Sequence, residues 1–415
     1  MTNTIKTLHS SGLRLISHYI PDSPTIALNI FVNAGSRFEN SSNNGVAHFF
    51  EHMIFKGTQK RPLPNEIFYE LELIGAEANA FTDKEYTTYV IKILKANFEK
   101  GVEILFDAFL HSLLDDKEVE KERRVIKEEM KMYEDDPSTF ADEKFISNLY
   151  PYDSYGYDIV GTSQTLENIN SSVIRDFYKN HYFFENTVIV ASGDIEHSKL
   201  ESLVNKYFDI SRYSHGSVNN IPFMDKSFIE PRKIYKRDIQ QSQFRLGTYT
   251  YSHSDINRFK ALVALSILGY GAGSKLFVEV REKRGLVYGI YSTPINWSQS
   301  GYISITAGLM AERINMVENI CFEEMQKMAD GGFSDRDITR AKEQAKSSLL
   351  MNLDTNSNWV WTLGYSECVY NESFNIYEYI KNIDNVVRED ILLASQTLIS
   401  SKWQGTYVIP RDYDL

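Results

Sequence analysis

Two histidines and a glutamate stand close together near the start of the chain, in the segment His48-Phe49-Phe50-Glu51-His52. In an α-helix, residues i and i+4 lie one turn apart on one face, so His48 and His52 can both direct a ring nitrogen at one ion. Zinc binds imidazole nitrogen at about 2.0–2.1 Å. Glu51 flanks the same face but is too close to His52 to be an unstrained third ligand. Its natural role is the general base that takes a proton from a metal-bound water.

A third protein ligand must come from elsewhere, because catalytic zinc typically keeps three protein ligands and one open position. The charged segment Lys117–Glu134 predicts a long helix that offers several candidates: Glu118, Glu120, Glu122, Glu128 and Glu129. Glu122 and Glu129 are two helical turns apart and share a face, so one can bind the metal while the other accepts a histidine N–H. A buried polar network is the competing interpretation, but two histidines and a glutamate are costly to bury without a partner.

The elements that must position these residues are strands and helices in alternation. Hydrophobic periodicity and turn residues predict the following elements. There are strands at 13–19, 27–35 and 186–195, a buried helix at 46–56 that Gly57 closes, and two strands around a turn within 77–94.

The second half of the chain repeats this order at a roughly constant offset, as a duplicated domain would. Where the first half has HFFEH, the second has ALSIL at 264–268, with no ligand-type residue. A polar stretch rich in turn residues separates the halves. We therefore predict an N-terminal catalytic zinc-binding domain at 1–212, a linker at 213–230, and a homologous C-terminal domain without metal ligands at 231–415.

Composition excludes several classes of protein. The 415 residues carry a net charge of −12, which argues against nucleic acid and anionic membranes as partners. The two cysteines, Cys321 and Cys368, make no disulfide framework and no metal-binding pair. The sequence has no secretory leader pattern and no apolar run long enough to insert into a membrane, so we expect a cytoplasmic protein.

The segment Asn44–Thr58, NGVAHFFEHMIFKGT, resembles the pitrilysin, insulysin and mitochondrial processing peptidase superfamily, whose motif H-x-x-E-H marks the inverzincins. The segments Val32–Glu39 and Ile74–Tyr89 also resemble family segments. By this resemblance the third ligand is Glu129, and Glu122 supports the site without being a primary ligand. One Zn²⁺ ion per chain is implied.

The resemblance extends to substrate contacts. Within Ile74–Tyr89, three residues match the strand edge beside which a peptide substrate is laid: Asn79, Ala80 and Phe81. The segment Gly269–Ser292 resembles the family's C-terminal-domain signature. Within it, Arg281 and Tyr288 match the catalytic pair that contacts the substrate carbonyl near the scissile bond.

The resemblance implies an α+β fold of two tandem homologous α/β-roll domains, each with an antiparallel-rich sheet flanked by helices. It also implies a clamshell dimer around a closed chamber, either a homodimer or a heterodimer with a paralogous subunit. The implied function is a zinc metalloendopeptidase that hydrolyses unfolded peptides or leader and precursor peptides. One alternative is a non-catalytic partner or scaffold subunit of a heterodimeric peptidase, which the intact ligands argue against. Another is a protease dedicated to the precursors of one peptide family.

Overall fold

The computed structural model describes residues 3–217, 221–224 and 230–415, and there the strands follow the periodicity of the sequence. The strands of the described residues are β1 Thr4–Leu8, β2 Arg14–Tyr19, β3 Thr25–Val32, β4 Glu77–Thr82, β5 Thr87–Leu94, β6 Thr187–Gly193, β7 Arg232–Arg237, β8 Ser242–Tyr249, β9 Val287–Asn296, β10 Gly301–Leu309 and β11 Gln404–Pro410. The strands predicted in the first half are confirmed.

The helices in the same residues are α1 Val46–Met53, α2 Glu66–Leu73, α3 Phe98–His111, α4 Asp116–Asp135, α5 Pro137–Leu149, α6 Ser163–Asn168, α7 Ser171–His181, α8 His197–Tyr207, α9 Arg258–Gly269, α10 Ile314–Ala329, α11 Asp335–Asn352, α12 Asn356–Tyr370, α13 Ile376–Asp384 and α14 Arg388–Ser400. A short π-helical segment, Phe277–Glu282, precedes β9. The helix predicted at 46–56 ends earlier, at Met53. The Ser112 hydroxyl donates to the Met53 carbonyl at 3.0 Å and so satisfies a helix end that needs a partner.

The contacts divide the chain into two compact units, each assembled from separate stretches. The first unit comprises Met1–Lys131, Tyr157–Ile221 and Asn352–Phe374, and the second comprises Met132–Gly156, Pro222–Met351 and Asn375–Leu415. Helix α12 thus belongs to the first unit and α5 to the second. The predicted linker lies partly outside the described residues, and the linear domain bounds stay a prediction.

The first unit contains a mixed six-stranded sheet in the order β1-β2-β6-β3-β5-β4. Strands β2 and β6 are parallel, and the other neighbours are antiparallel. Helix α12 covers the face that carries Phe31 and Val190. Gly364 permits this close approach, because a Cβ atom there would lie 2.2 Å from the Phe31 ring. Residues that alternate onto the other face, such as Leu28 and Ile30, are also fully buried.

The second unit contains a five-stranded sheet in the order β7-β11-β8-β10-β9. If β1 is left out, the strands of the first sheet correspond in order to those of the second, with β2 at the place of β7 and β6 at the place of β11. As in the first sheet, this pair is parallel and the other described neighbours are antiparallel. Helix α5 packs on β8 and β11, as α12 packs on β3 and β6 in the first unit. The repeated topology agrees with the predicted duplication, and both sheets are antiparallel-rich as predicted.

Candidate metal centre

Helix α1 is a short, buried helix whose polar side chains lie on one side. Its apolar residues are at most 1% exposed, whereas His48 and His52 face the charged helix α4 and Glu51 lies beside them, bonded to β4. The rings of His48 and His52 meet edge to face, with centroids 4.6 Å apart and one helical turn between them, as the i, i+4 spacing requires. The sequence segment HFFEH therefore presents two imidazoles and a carboxylate to one place.

The structure brings His48, His52 and Glu129 together. Glu129 Oε2 lies 3.3 Å from His52 Nε2 and 3.7 Å from His48 Nε2. One ligand atom from each residue lies within 4.8 Å of the others. Zinc bonds of about 2.0–2.1 Å in a tetrahedron place ligand atoms about 3.3–3.4 Å apart, so the distances of 3.3 and 3.7 Å suit a shared ion. Two imidazoles and one carboxylate form a donor set that zinc accepts with a position left open.

The electrostatics of the two histidines differ. Burial, together with the neighbouring His52, lowers the pKa of His48 to about 4, so this imidazole is neutral and has the form that binds metal. Burial alone would lower the pKa of His52 as well, but hydrogen bonds with Glu122 and Glu129 outweigh it and raise that pKa to about 9. Without a metal, His52 therefore holds a proton that a bound ion must displace.

Glu122 bonds to His52 at Nδ1, the ring nitrogen that does not face Glu129. Its Oε2 lies 3.2 Å from His52 Nδ1, and its Oε1 lies 2.6 Å from the Lys56 ammonium. Burial alone would raise the pKa of Glu122, but the hydrogen bonds with His52 and Lys56 outweigh it and hold that pKa below its ordinary value. A carboxylate at Nδ1 fixes the ring so that Nε2 points toward Glu129. Sequence reasoning missed Lys56, whose position one turn beyond His52 was the available signal.

Glu51 lies next to this cluster and is bonded to strand β4. Its Oε2 accepts a hydrogen bond of 2.5 Å from the Thr82 hydroxyl at the end of β4. Burial raises the pKa of the Glu51 carboxyl, which makes it a stronger base than an exposed glutamate. Thr82 was also missed, and only its place directly after the predicted substrate strand could have indicated it.

The predicted substrate residues lie on β4, the last strand of the first sheet. This strand pairs with β5 on one side. The backbone N–H of Ala80 donates to the side-chain oxygen of Asn79 at 2.9 Å, so it is not used in the ladder. Phe81 is 43% exposed and meets the Trp361 ring edge-on. An edge strand with available backbone groups can pair with another chain segment.

Arg281 and Tyr288 come together in the second unit, whereas the residues described above belong to the first. The Arg281 guanidinium lies 5.3 Å from the centre of the Tyr288 ring and 4.6 Å from that of Phe277. Tyr288, on the edge strand β9, is 83% exposed. A side chain this open is available to a ligand, and the cation–π contact holds the pair as one polar group.

Two protein families match this chain in succession. Residues 14–163 match the family described as Insulinase (Peptidase family M16). Residues 168–345 match the family described as Peptidase M16 inactive domain. The boundary between the matches separates the half that carries His48, His52 and Glu129 from the half that carries Arg281 and Tyr288.

Individual relatives agree with these matches. A protein named "Uncharacterized zinc protease YmxG" from Bacillus subtilis is 29% identical over 401 residues, which cover 96% of this chain and 97% of the relative. An uncharacterized zinc protease of Streptomyces coelicolor is 29% identical over 406 residues, with 96% and 87% covered. The crystal structure of a protease from Helicobacter pylori superposes with a TM-score of 0.87 at 20% identity, covering 98% of this chain and 99% of that one. Among the described residues, no helix has both the length and the apolar character needed to cross a membrane.

Proposed function

Because this chain belongs to the M16 insulinase family and is a zinc metalloprotease, we propose that it hydrolyses extended, unfolded peptides at the centre formed by His48, His52 and Glu129. The observation that carries the proposal is the convergence of three ligand atoms from α1 and α4 beside the carboxylate of Glu51. Two imidazoles and one carboxylate leave a position for the reacting groups. Leader and precursor peptides belong to the same class of extended substrate.

Each nearby side chain has a task in this reaction. Zinc, when bound, supplies Lewis acidity that polarises a peptide carbonyl and makes water more acidic. Glu51 takes a proton from the attacking water and returns it to the leaving amine. Thr82 holds one oxygen of that carboxylate at 2.5 Å and leaves the other to face the substrate. Glu122 keeps His52 oriented through Nδ1.

We propose that the substrate binds as an added strand along β4. The residues Asn79–Phe81 lie at the sheet edge, and β4 ends at Thr82, which contacts Glu51. Main-chain hydrogen bonds supply affinity in this mode, so recognition depends on extended shape more than on sequence. The Asn79 amide that occupies the Ala80 N–H must move aside when a peptide binds.

Arg281 and Tyr288 are proposed to stabilise the negative charge that develops on the carbonyl oxygen. Their mutual contact and the exposure of Tyr288 support this role, and the family resemblance suggests it. The pair serves a zinc centre in its own chain or in a partner chain. We propose that two chains, identical or paralogous, pair as a clamshell around a chamber. Light scattering of the purified protein tests this pairing, and rapid digestion of a native globular protein would contradict the chamber.

The variant Glu51→Gln tests the proposed chemistry, since it keeps the shape of the side chain and removes the base. We expect full zinc content and a fall in kcat on unfolded peptides of about 100- to 10,000-fold. Glu128→Gln is the matched control, because Glu128 is 72% exposed on α4 and pairs with Lys131 at the surface. Wild-type hydrolysis by Glu51→Gln would refute the mechanism. Zinc binding by the wild-type protein without cleavage of any unfolded peptide would indicate a non-catalytic subunit.

A further inference from the structure

Helix α1 has an unusual beginning for a helix that holds two metal ligands. It has only eight residues, and its first backbone N–H groups are buried, with Val46 and Ala47 fully covered. The residue at the N-cap is Gly45, which has no side chain to accept hydrogen bonds from the first turn. Buried N–H groups at a helix start need acceptors, and a helix this short is marginal without them.

A local cap is sterically excluded at position 45. Gly45 has a φ of +97°, and a Cβ atom there would lie 2.8 Å from the carbonyl oxygen of Val160. Ser, Thr, Asp and Asn, which usually cap helices, all have a Cβ atom and prefer a different backbone conformation there. The Val46 N–H bonds to the Asn43 carbonyl at 3.0 Å, so a side-chain acceptor for the Ala47 N–H must come from a residue other than the N-cap.

The carboxylate of Glu39 supplies that acceptor. One oxygen accepts from the Gly45 N–H at 2.8 Å and from the Asn44 side-chain amide at 2.8 Å. The other oxygen accepts from the Ala47 N–H at 2.8 Å. Glu39 is 7% exposed, so these hydrogen bonds are shielded from water. A negative charge at this end also interacts favourably with the helix dipole.

Burial of this carboxylate costs stability. Desolvation raises the pKa of Glu39 to about 7, although the three hydrogen bonds and the nearby Lys84 ammonium oppose the shift. A buried carboxylate that lowers the stability of the fold is expected at positions where function requires it.

We propose that Glu39 is a positioning residue of the metal centre, which fixes the first turn of α1 so that His48 is held as a ligand. His48 directly follows Ala47, whose N–H is bound by Glu39, whereas His52 lies in the next turn and is held separately by Glu122. Loosening the first turn therefore displaces one ligand of the pair and leaves the other in place. This inference rests on the proposed zinc site.

The test compares Glu39→Gln with the wild-type protein. Glutamine keeps the size of the side chain but has one oxygen, so it cannot accept from Gly45 and Ala47 as two oxygens do. We expect a zinc affinity about 10- to 100-fold lower, measured against a chelating indicator. We also expect an altered visible absorption spectrum of the Co²⁺-substituted protein, and an unchanged KM once zinc is saturating. A merely structural role would lower the unfolding temperature without changing the Co²⁺ spectrum.

The control is Asp136→Asn, which weakens the carboxylate cap of α5, where Asp136 accepts from the Thr139 N–H at 2.7 Å. This helix carries no proposed ligand, so zinc affinity should not change. If Glu39→Gln does not fold, Glu39→Asp decides, because it keeps two oxygens on a shorter stem. Weaker zinc binding by folded Glu39→Asp supports the inference, and wild-type zinc affinity and Co²⁺ spectrum in the folded variant overturn it. Failure of the wild-type protein to bind zinc would instead refute the proposed function.

Discussion

Helices α1 and α9 hold the same place in the two units, yet one carries ligands and the other does not. Each follows the corresponding strand, β3 in the first sheet and β8 in the second. Helix α9 has Ala264, Ile267 and Leu268 where α1 has its polar residues, and all three are at most 1% exposed. It is an ordinary apolar core helix.

Helices α4 and α11 show the same contrast. The seventh and fourteenth residues of α4 are Glu122 and Glu129, and those of α11 are Ala341 and Ser348. The difference shows that the scaffold alone does not make a metal centre. Polar residues on one buried helix are tolerated because the facing helix supplies their charge partners.

The largest effect is expected when α1 is given the residue that α9 carries at the corresponding position, which is Leu268 in place of His52. His52→Leu leaves two ligands, and we expect zinc content to fall to background and peptide hydrolysis with it. Metal analysis after dialysis and a peptide assay measure the effect. His181→Leu is the control, because His181 is a histidine of the same unit that packs against Phe177 rather than toward the candidate ligands. A His52→Leu protein that retains one zinc ion would contradict the ligand assignment.

The reverse exchange tests whether α9 accepts a ligand-type residue. Leu268→His places an imidazole in the core of the second unit, without acidic partners at Ala341 and Ser348. We expect the free energy of unfolding to fall by about 3 kcal/mol, from lost apolar burial and an unpaired polar group. Chemical denaturation measures this loss, and metal analysis should still find one zinc ion. Unchanged stability, or a second zinc ion, would show that the facing helix matters less than we infer.

A smaller effect is expected from substitution of Glu122, which contacts the candidate ligand His52 but is not itself a proposed ligand. Glu122→Ala, which copies Ala341, removes the acceptor of the His52 Nδ1–H and leaves Lys56 unpaired. Zinc affinity should fall about 10- to 100-fold, or roughly 1.4–2.7 kcal/mol, with kcat nearly restored at saturating zinc. Competition with a chelating indicator measures the affinity. Glu128→Ala on the exposed side of α4 should change nothing, and an equal loss in both variants would argue against a specific role for Glu122.

Much of this arrangement is predictable from sequence because it depends on local periodicity. The helix that contains HFFEH and the strands before and after it are predicted by residue spacing. The shared face of His48 and His52 follows from their i, i+4 spacing, without any tertiary information. The third ligand is different. Spacing left five glutamates of α4 open, and only the family resemblance selected Glu129. A ligand from a distant helix depends on packing, which no local pattern encodes.

The features that sequence did not predict are tertiary contacts. Thr82 and Lys56 contact residues of the site that are distant in sequence, and Glu39 bonds to the start of α1 from the loop before it. The assignment of α12 to the first unit was also missed, since nothing local in the segment Asn356–Tyr370 identifies the sheet that the helix covers. Hydrophobic periodicity indicates that one face of an element is buried, but only the folded structure shows which element packs against that face.

The place of α12 has a consequence for biosynthesis. The strands of the first sheet leave the ribosome long before α12, because the helix follows β10 in the chain. Until translation reaches Tyr370, the nascent first unit leaves Phe31 and Val190 without their cover. The first unit can therefore complete its fold only after nearly the whole polypeptide has been synthesised. A prematurely terminated product that ends before α12 is expected to be insoluble rather than an unregulated protease.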